Sequence, residues 1–197
     1  MNDERHKERM ARKKAVIDTH IAQASDERGI VIVLTGPGKG KSSSAFGMAA
    51  RALGHGMKVG VVQYIKGKTA TGEQSFFERF PEVNFHVMGA GFTWETQDRE
   101  KDLAAARAAW EVSLKLLADP TVDLVILDEM NLALRYKHIE LDELLAALAA
   151  RPASQHVVIT GRSAPEGLID YADTVSEIRS VKHAYEAGIR AQKGVEW

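Results

Sequence analysis

Residues 29–42 constrain the fold more than any other stretch of the 197-residue chain. An unbroken apolar run, Gly29-Ile30-Val31-Ile32-Val33-Leu34-Thr35, passes directly into a turn of glycines and lysines and then into a helical pattern. A strand apolar at every position has no wet face, so it belongs in a sheet covered on both sides. The theme recurs downstream. Strands are expected at 58–65, 84–88, 123–127, 156–160 and 174–178. Helices are expected at 42–53, 73–80 and 98–118, and along Leu141, Leu144, Leu145 and Leu148. Leu103, Ala106, Trp110, Leu114 and Leu117 read as the buried stripe of the longest helix. This alternation predicts an α/β domain with a mostly parallel central sheet of about six strands and helices on both faces. Ligands of such sheets bind at the carboxyl ends of the strands.

The turn after the first strand reads Thr35-Gly36-Pro37-Gly38-Lys39-Gly40-Lys41-Ser42-Ser43. Glycines let successive backbone N–H groups converge on phosphate oxygens, and the helix start adds a favourable dipole. Lys41 is placed to reach phosphate, and the Ser42 hydroxyl to face a magnesium or manganese ion. The spacing departs from the usual Gly-x4-Gly-Lys-Ser/Thr, since Thr35 stands at the first glycine position. The loop is either one residue short from Gly36 or a variant beginning at Thr35. A second half-site follows at Val125-Ile126-Leu127-Asp128-Glu129, where an apolar strand ends in two carboxylates suited to holding the metal. Together these predict a P-loop NTPase fold of RecA-like type.

Other features bound the function. With 26 Lys plus Arg against 27 Asp plus Glu, the net charge of −1 argues against a dedicated nucleic-acid or membrane-surface binder. The chain has no cysteine, which excludes disulfides, thiolate metal sites and cysteine nucleophiles and suits the cytoplasm. The first twenty residues carry charges and no apolar h-region, so no secretory signal is expected there. Residues 1–28 form a helical extension with a thin stripe of Met10, Ile17, Ile21 and Ala24; residues 29–197 form the catalytic domain. A glycine-rich loop at 89–96 holds Phe92 and Trp94, which read as an apolar wall for a large flat ligand. Lys66-Gly67-Lys68 adds positive charge after the second strand.

These residues resemble the P-loop type of ATP:corrinoid adenosyltransferase, the cob(I)alamin adenosyltransferases. The resemblance runs through DERHKERM, ERGIVIVLTG, GKGKSS, AARALGHG, GVVQYIKG, GFTWET, LVILDE, VVITGR and VKHAYEAGIRAQKG, and so covers essentially the whole chain. Pro37 departs from the family, which often has an amide side chain there. The resemblance implies transfer of the 5′-deoxyadenosyl group of ATP to Co(I) of a cobalamin or an earlier corrinoid, with release of triphosphate. It implies ATP held in a reversed sense in the shortened loop. Phe92 and Trp94 match positions that displace the lower ligand of Co(II) and ease its reduction. Arg162 and the segment from Lys182 to Lys193 match positions near the site. A homodimer, whose N-terminal helix closes over the partner's site, and a reduced flavoprotein donor are implied as well. The phosphate loop and carboxylates taken alone also fit an ATP hydrolase or a nucleotide-dependent binding module.

Overall fold

The structure, a computed structural model, describes residues 2–65, 71–88 and 99–196. Six strands among these residues form one sheet: β1 (Val31–Thr35), β2 (Val59–Gln63), β3 (Val83–Val87), β4 (Leu124–Asp128), β5 (His156–Thr160) and β6 (Thr174–Glu177). Their spatial order is β3-β2-β4-β5-β1-β6, and every neighbouring pair is parallel.

The apolar runs are split between two faces by the two-residue period of a strand. Val31, Val33, Val125, Leu127, Val157 and Ile159 point to one side. There they pack beneath α4 (Arg99–Ala118), α5 (Met130–Arg135), α6 (Leu141–Ala150) and α7 (Glu166–Tyr171). Leu34, Val59, Val61, Leu124, Ile126 and Val158 point to the other side, against α2 (Lys41–Gly54) and α3 (Gly72–Phe77). This two-sided burial is why the central strands carry no polar alternation.

Three expectations are corrected. Leu103 is 41% exposed, and Leu114 is only half-buried. The buried side of α4 runs instead through Ala106, Ala109, Trp110, Ser113, Leu116 and Leu117. Ser113 is tolerated there because its hydroxyl is hydrogen-bonded, to Tyr64 Oη at 2.7 Å and the Ala109 carbonyl at 2.9 Å. Phe46 of α2, outside the stripe of Ala45, Met48, Ala49, Ala52 and Leu53 that periodicity marks as its buried face, is buried, stacked on Phe85 and tilted against Phe77. The short helices α5 and α7 were missed, since six residues are too few to show a helical period.

The first helix, α1 (Asn2–Gln23), exposes every residue from Asp3 onward, Met10, Ile17 and Ile21 included. β6 is an edge strand with all four residues exposed. It is tied to the start of β1 by Asp173, whose carboxylate accepts from Val31 N–H at 2.8 Å and from the Arg28 guanidinium. No helix among the described residues is long and apolar enough to cross a membrane.

Candidate active site at the carboxyl edge of the sheet

The order β4-β5-β1 brings three strand ends together: Asp128-Glu129, Thr160-Gly161-Arg162 and the phosphate loop. Thr35 is the last residue of β1. It pairs with Glu177 of β6, and its hydroxyl accepts from Ala164 N–H at 3.1 Å. The loop therefore begins at Gly36 and is one residue short of the usual length.

The loop is held from behind by the main chain after β6. Gly38 N–H donates to the Ile178 carbonyl at 2.7 Å. A Cβ on Gly36 or on Gly38 would come within 2.5 Å of the Ile178 or Arg179 carbonyl oxygen, so both positions exclude any other residue. Gly40 precedes α2 at φ 123° and offers no side-chain cap. With no acid in the first turn of this 14-residue helix, its leading N–H groups remain available to an anion.

A cleft of about 250 Å³ opens over this helix start. Pro37, Gly38, Lys39, Gly40, Lys41, Ser42 and Ser43 form its floor, and Glu129 and Arg162 face them. Gly36 instead lines an adjoining cavity, with Ile169 and Val175, that also reaches Pro37 and Arg162. Lys41 is 7% exposed, and its ammonium donates to the Gly38 carbonyl at 2.6 Å. Burial pulls its pKa below the ordinary lysine value, against the pull of Glu129 and Asp128. Arg162 pushes it the same way as burial.

The two carboxylates play different parts. Asp128 is 3% exposed and does not line the cleft. Its Oδ2 accepts from Gln63 Nε2 at 2.9 Å and its Oδ1 from Thr160 Oγ1 at 2.7 Å. The Thr160 hydroxyl in turn accepts from Glu129 N–H at 2.9 Å. This clamp holds the Glu129 backbone at φ 61°, a left-handed conformation that is costly for a residue with a side chain. The Glu129 carboxyl is thereby aimed into the cleft. Its pKa is raised, first by burial and then by Asp128, while Lys41 and Arg162 oppose the shift. A carboxylate so placed is stabilised by an added cation, and the half-buried Ser42 supplies a hydroxyl at the same cleft. These two residues fit a divalent ion that keeps water and phosphate ligands. Among the described residues there is no cluster of three or more His, Asp or Glu side chains of metal-binding type.

Residues 37–43, Glu129 and Arg162, which the sequence reading groups as site residues, line one cleft, while Gly36 lines the adjoining cavity. Asp128, expected with Glu129 at a metal ion, lies behind the cleft, each of its carboxylate oxygens accepting one hydrogen bond, from Gln63 and from Thr160. Phe92, Trp94 and the Lys66-Gly67-Lys68 segment lie outside the described residues. Gln63 and Thr160 were missed, although each is a polar residue closing an otherwise apolar strand, which is a readable signal. Glu73 and Glu196, which also line the cleft, carry no such signal, whereas His183, a third lining residue, falls in the 182–193 segment that the resemblance puts near the site. Lys39 Nζ is ion-paired to Glu196 Oε2 at 2.7 Å.

A parallel sheet with a glycine-rich loop leading into a helix, a buried lysine at its base and a carboxylate opposite defines a P-loop nucleotide-binding protein of the α/β class. Within that class the chain belongs to the ATP:corrinoid adenosyltransferase BtuR/CobO/CobP family, which it matches over residues 27–197. Residues 1–21 match the cob(I)alamin adenosyltransferase N-terminal family. A corrinoid adenosyltransferase of Pseudomonas aeruginosa is 67% identical over 196 residues, covering 99% of this chain and 97% of that protein. The corrinoid adenosyltransferase CobA of Salmonella typhimurium is 51% identical over the full length of both chains. That of Escherichia coli K12 is 50% identical, again over the full length of both.

Proposed function

We propose that this protein transfers the 5′-deoxyadenosyl group of ATP to the Co(I) centre of a reduced corrinoid, releasing triphosphate in the synthesis of adenosylcobalamin. The observation that carries this reading is the shortened phosphate loop, closed behind by Ile178 and Arg179 and faced by Glu129 and Arg162, in a chain of this family.

Both electrons of the new cobalt–carbon bond come from Co(I). The bond between C5′ and its oxygen breaks, and its electron pair leaves with the triphosphate. The nucleophile is thus the substrate's own metal, and the protein needs none. Its task is to hold C5′ in place and to stabilise the charge that develops on the leaving group. The leading N–H groups of α2, the Lys41 ammonium and the Arg162 guanidinium supply positive charge for that purpose. A magnesium or manganese ion held by Ser42 and Glu129 would neutralise further charge on the triphosphate. Asp128 acts through Thr160 by fixing Glu129.

Phe92 and Trp94 displace the lower axial ligand of Co(II), so that a reduced flavoprotein can supply the one electron that makes Co(I). Residues 1–28 are a lid rather than part of the core domain. Met10, Val16, Ile17 and Ile21 are exposed in the single chain, which suits closure over the site of a partner subunit in a homodimer. The protein works in the cytoplasm. The test is a product assay on the full chain with ATP, magnesium and chemically reduced corrinoid. An alkyl-cobalt corrinoid and triphosphate in equal amounts support the reading; ADP with phosphate, or no turnover, overturns it.

A further inference from the structure

The chain beyond β6 returns to the phosphate loop and closes its cleft, and one residue of that segment has a nitrogen with no assigned task. Ile178 accepts the Gly38 N–H, and the Arg179 main chain lies against Gly38. The segment is therefore anchored to the loop just before His183. His183 is half-buried and lines the cleft together with Lys39, Lys41 and Arg162. Its Nδ1 accepts the Tyr185 N–H at 3.2 Å, capping the short 3-10 turn Ala184–Ala187. A ring nitrogen that accepts a hydrogen bond carries no proton, so in this arrangement the imidazole proton is on Nε2. The ring is thus set to present Nε2–H as a donor at a cleft whose other donors are cations, backbone amides and the Ser42 and Ser43 hydroxyls.

We infer that His183 is a nucleotide-binding residue whose Nε2–H donates to a phosphate oxygen of ATP, with the Tyr185 N–H holding the ring in the required tautomer. This rests on the reading of the cleft as the ATP site. A donor to an anionic oxygen that is fixed by its own capping bond loses little freedom on binding. The inference makes the returning segment a wall of the nucleotide site.

Two substitutions separate this role from that of a mere cap. His183→Asn keeps an acceptor near Nδ1 for the Tyr185 N–H but has no atom near Nε2. His183→Gln keeps an N–H that reaches towards the cleft but is poorly placed to cap. Binding of magnesium-ATP and of inorganic tripolyphosphate to each full-length variant is measured by calorimetry, with melting temperature recorded alongside. Binding of both ligands is expected to weaken about tenfold or more in His183→Asn and less in His183→Gln. The opposite order, or wild-type affinity in His183→Asn, overturns the inference and leaves His183 a cap. Failure of the wild-type protein to bind magnesium-ATP would instead overturn the reading of the cleft.

Discussion

The Thr160 hydroxyl stands 2.7 Å from Asp128 Oδ1 and, on its other side, accepts the Glu129 N–H. One buried side chain thus couples the two carboxylates at the end of β4. Thr160→Val keeps the shape but leaves Asp128 short of a donor and Glu129 N–H without an acceptor. A stability loss of about 1–3 kcal/mol is expected, read by urea denaturation. The magnesium concentration for half-maximal activity should also rise, because Glu129 is released from its clamped backbone. Glu129→Gln should raise that magnesium requirement with little loss of stability. An unchanged magnesium titration in both variants would remove Glu129 from the metal site.

Lys41→Ala removes the buried ammonium at the base of the cleft. The expected cost is ~3–4 kcal/mol of transition-state stabilisation, measured as kcat/KM for ATP with Co(I) corrinoid. The fold should survive, since the hydrogen bond that the Lys41 ammonium donates is to the Gly38 carbonyl of its own loop. Near-normal turnover at saturating ATP would contradict its role in stabilising the leaving triphosphate.

Glu196 places a carboxylate on Lys39, in the cleft where phosphates are to bind. Glu196→Gln should therefore tighten ATP binding severalfold at low ionic strength. The gain should shrink at high salt, because the pair is partly exposed and screened. Titrations at two salt concentrations check both points; weaker binding in the variant would show that Glu196 helps to hold the site together.

Asp173 gives an acid limb to stability. The Arg28 guanidinium, and then the Val31 N–H, hold its carboxyl down at about 2, against an ordinary value of 3.8. Its stabilising contribution is complete above the ordinary value and is lost as pH falls towards 2. Asp173→Asn should lower stability at neutral pH and flatten the decline between pH 4 and pH 2. Parallel pH profiles for the two proteins would show that the ion pair contributes nothing.

Phe92→Ala and Trp94→Ala test the reduction step. Turnover from Co(II) cobalamin with its tethered base should fall, while turnover with chemically supplied Co(I), or with a corrinoid lacking the base, should change much less. Affinity for ATP should stay near the wild-type value. A loss of ATP affinity of ~1–3 kcal/mol whatever the corrinoid would point instead to stacking on adenine.

The α/β class was legible in the residues alone, because Val31–Leu34 and Leu124–Leu127 admit no wet face. The phosphate loop was legible as well, because the glycines and Lys41 between a strand and a helix answer to local chemistry. The different placement of the two carboxylates depends on contacts across the sheet. Parallel pairing sets Gln63 beside Asp128, and the same register along β4 and β5 brings Thr160 level with them. Residues 65 and 32 positions apart along the chain thereby hydrogen-bond Asp128 behind the cleft, while Glu129 lines it. Side-chain period misled at Leu103, since it shows which residues share a face of α4 but not how far that face remains covered. The closure of the cleft by Glu196 was illegible, and His183 was legible only through the family resemblance of its segment. The closure depends on Ile178 reaching Gly38, a contact between segments 140 positions apart that leaves no pattern in either.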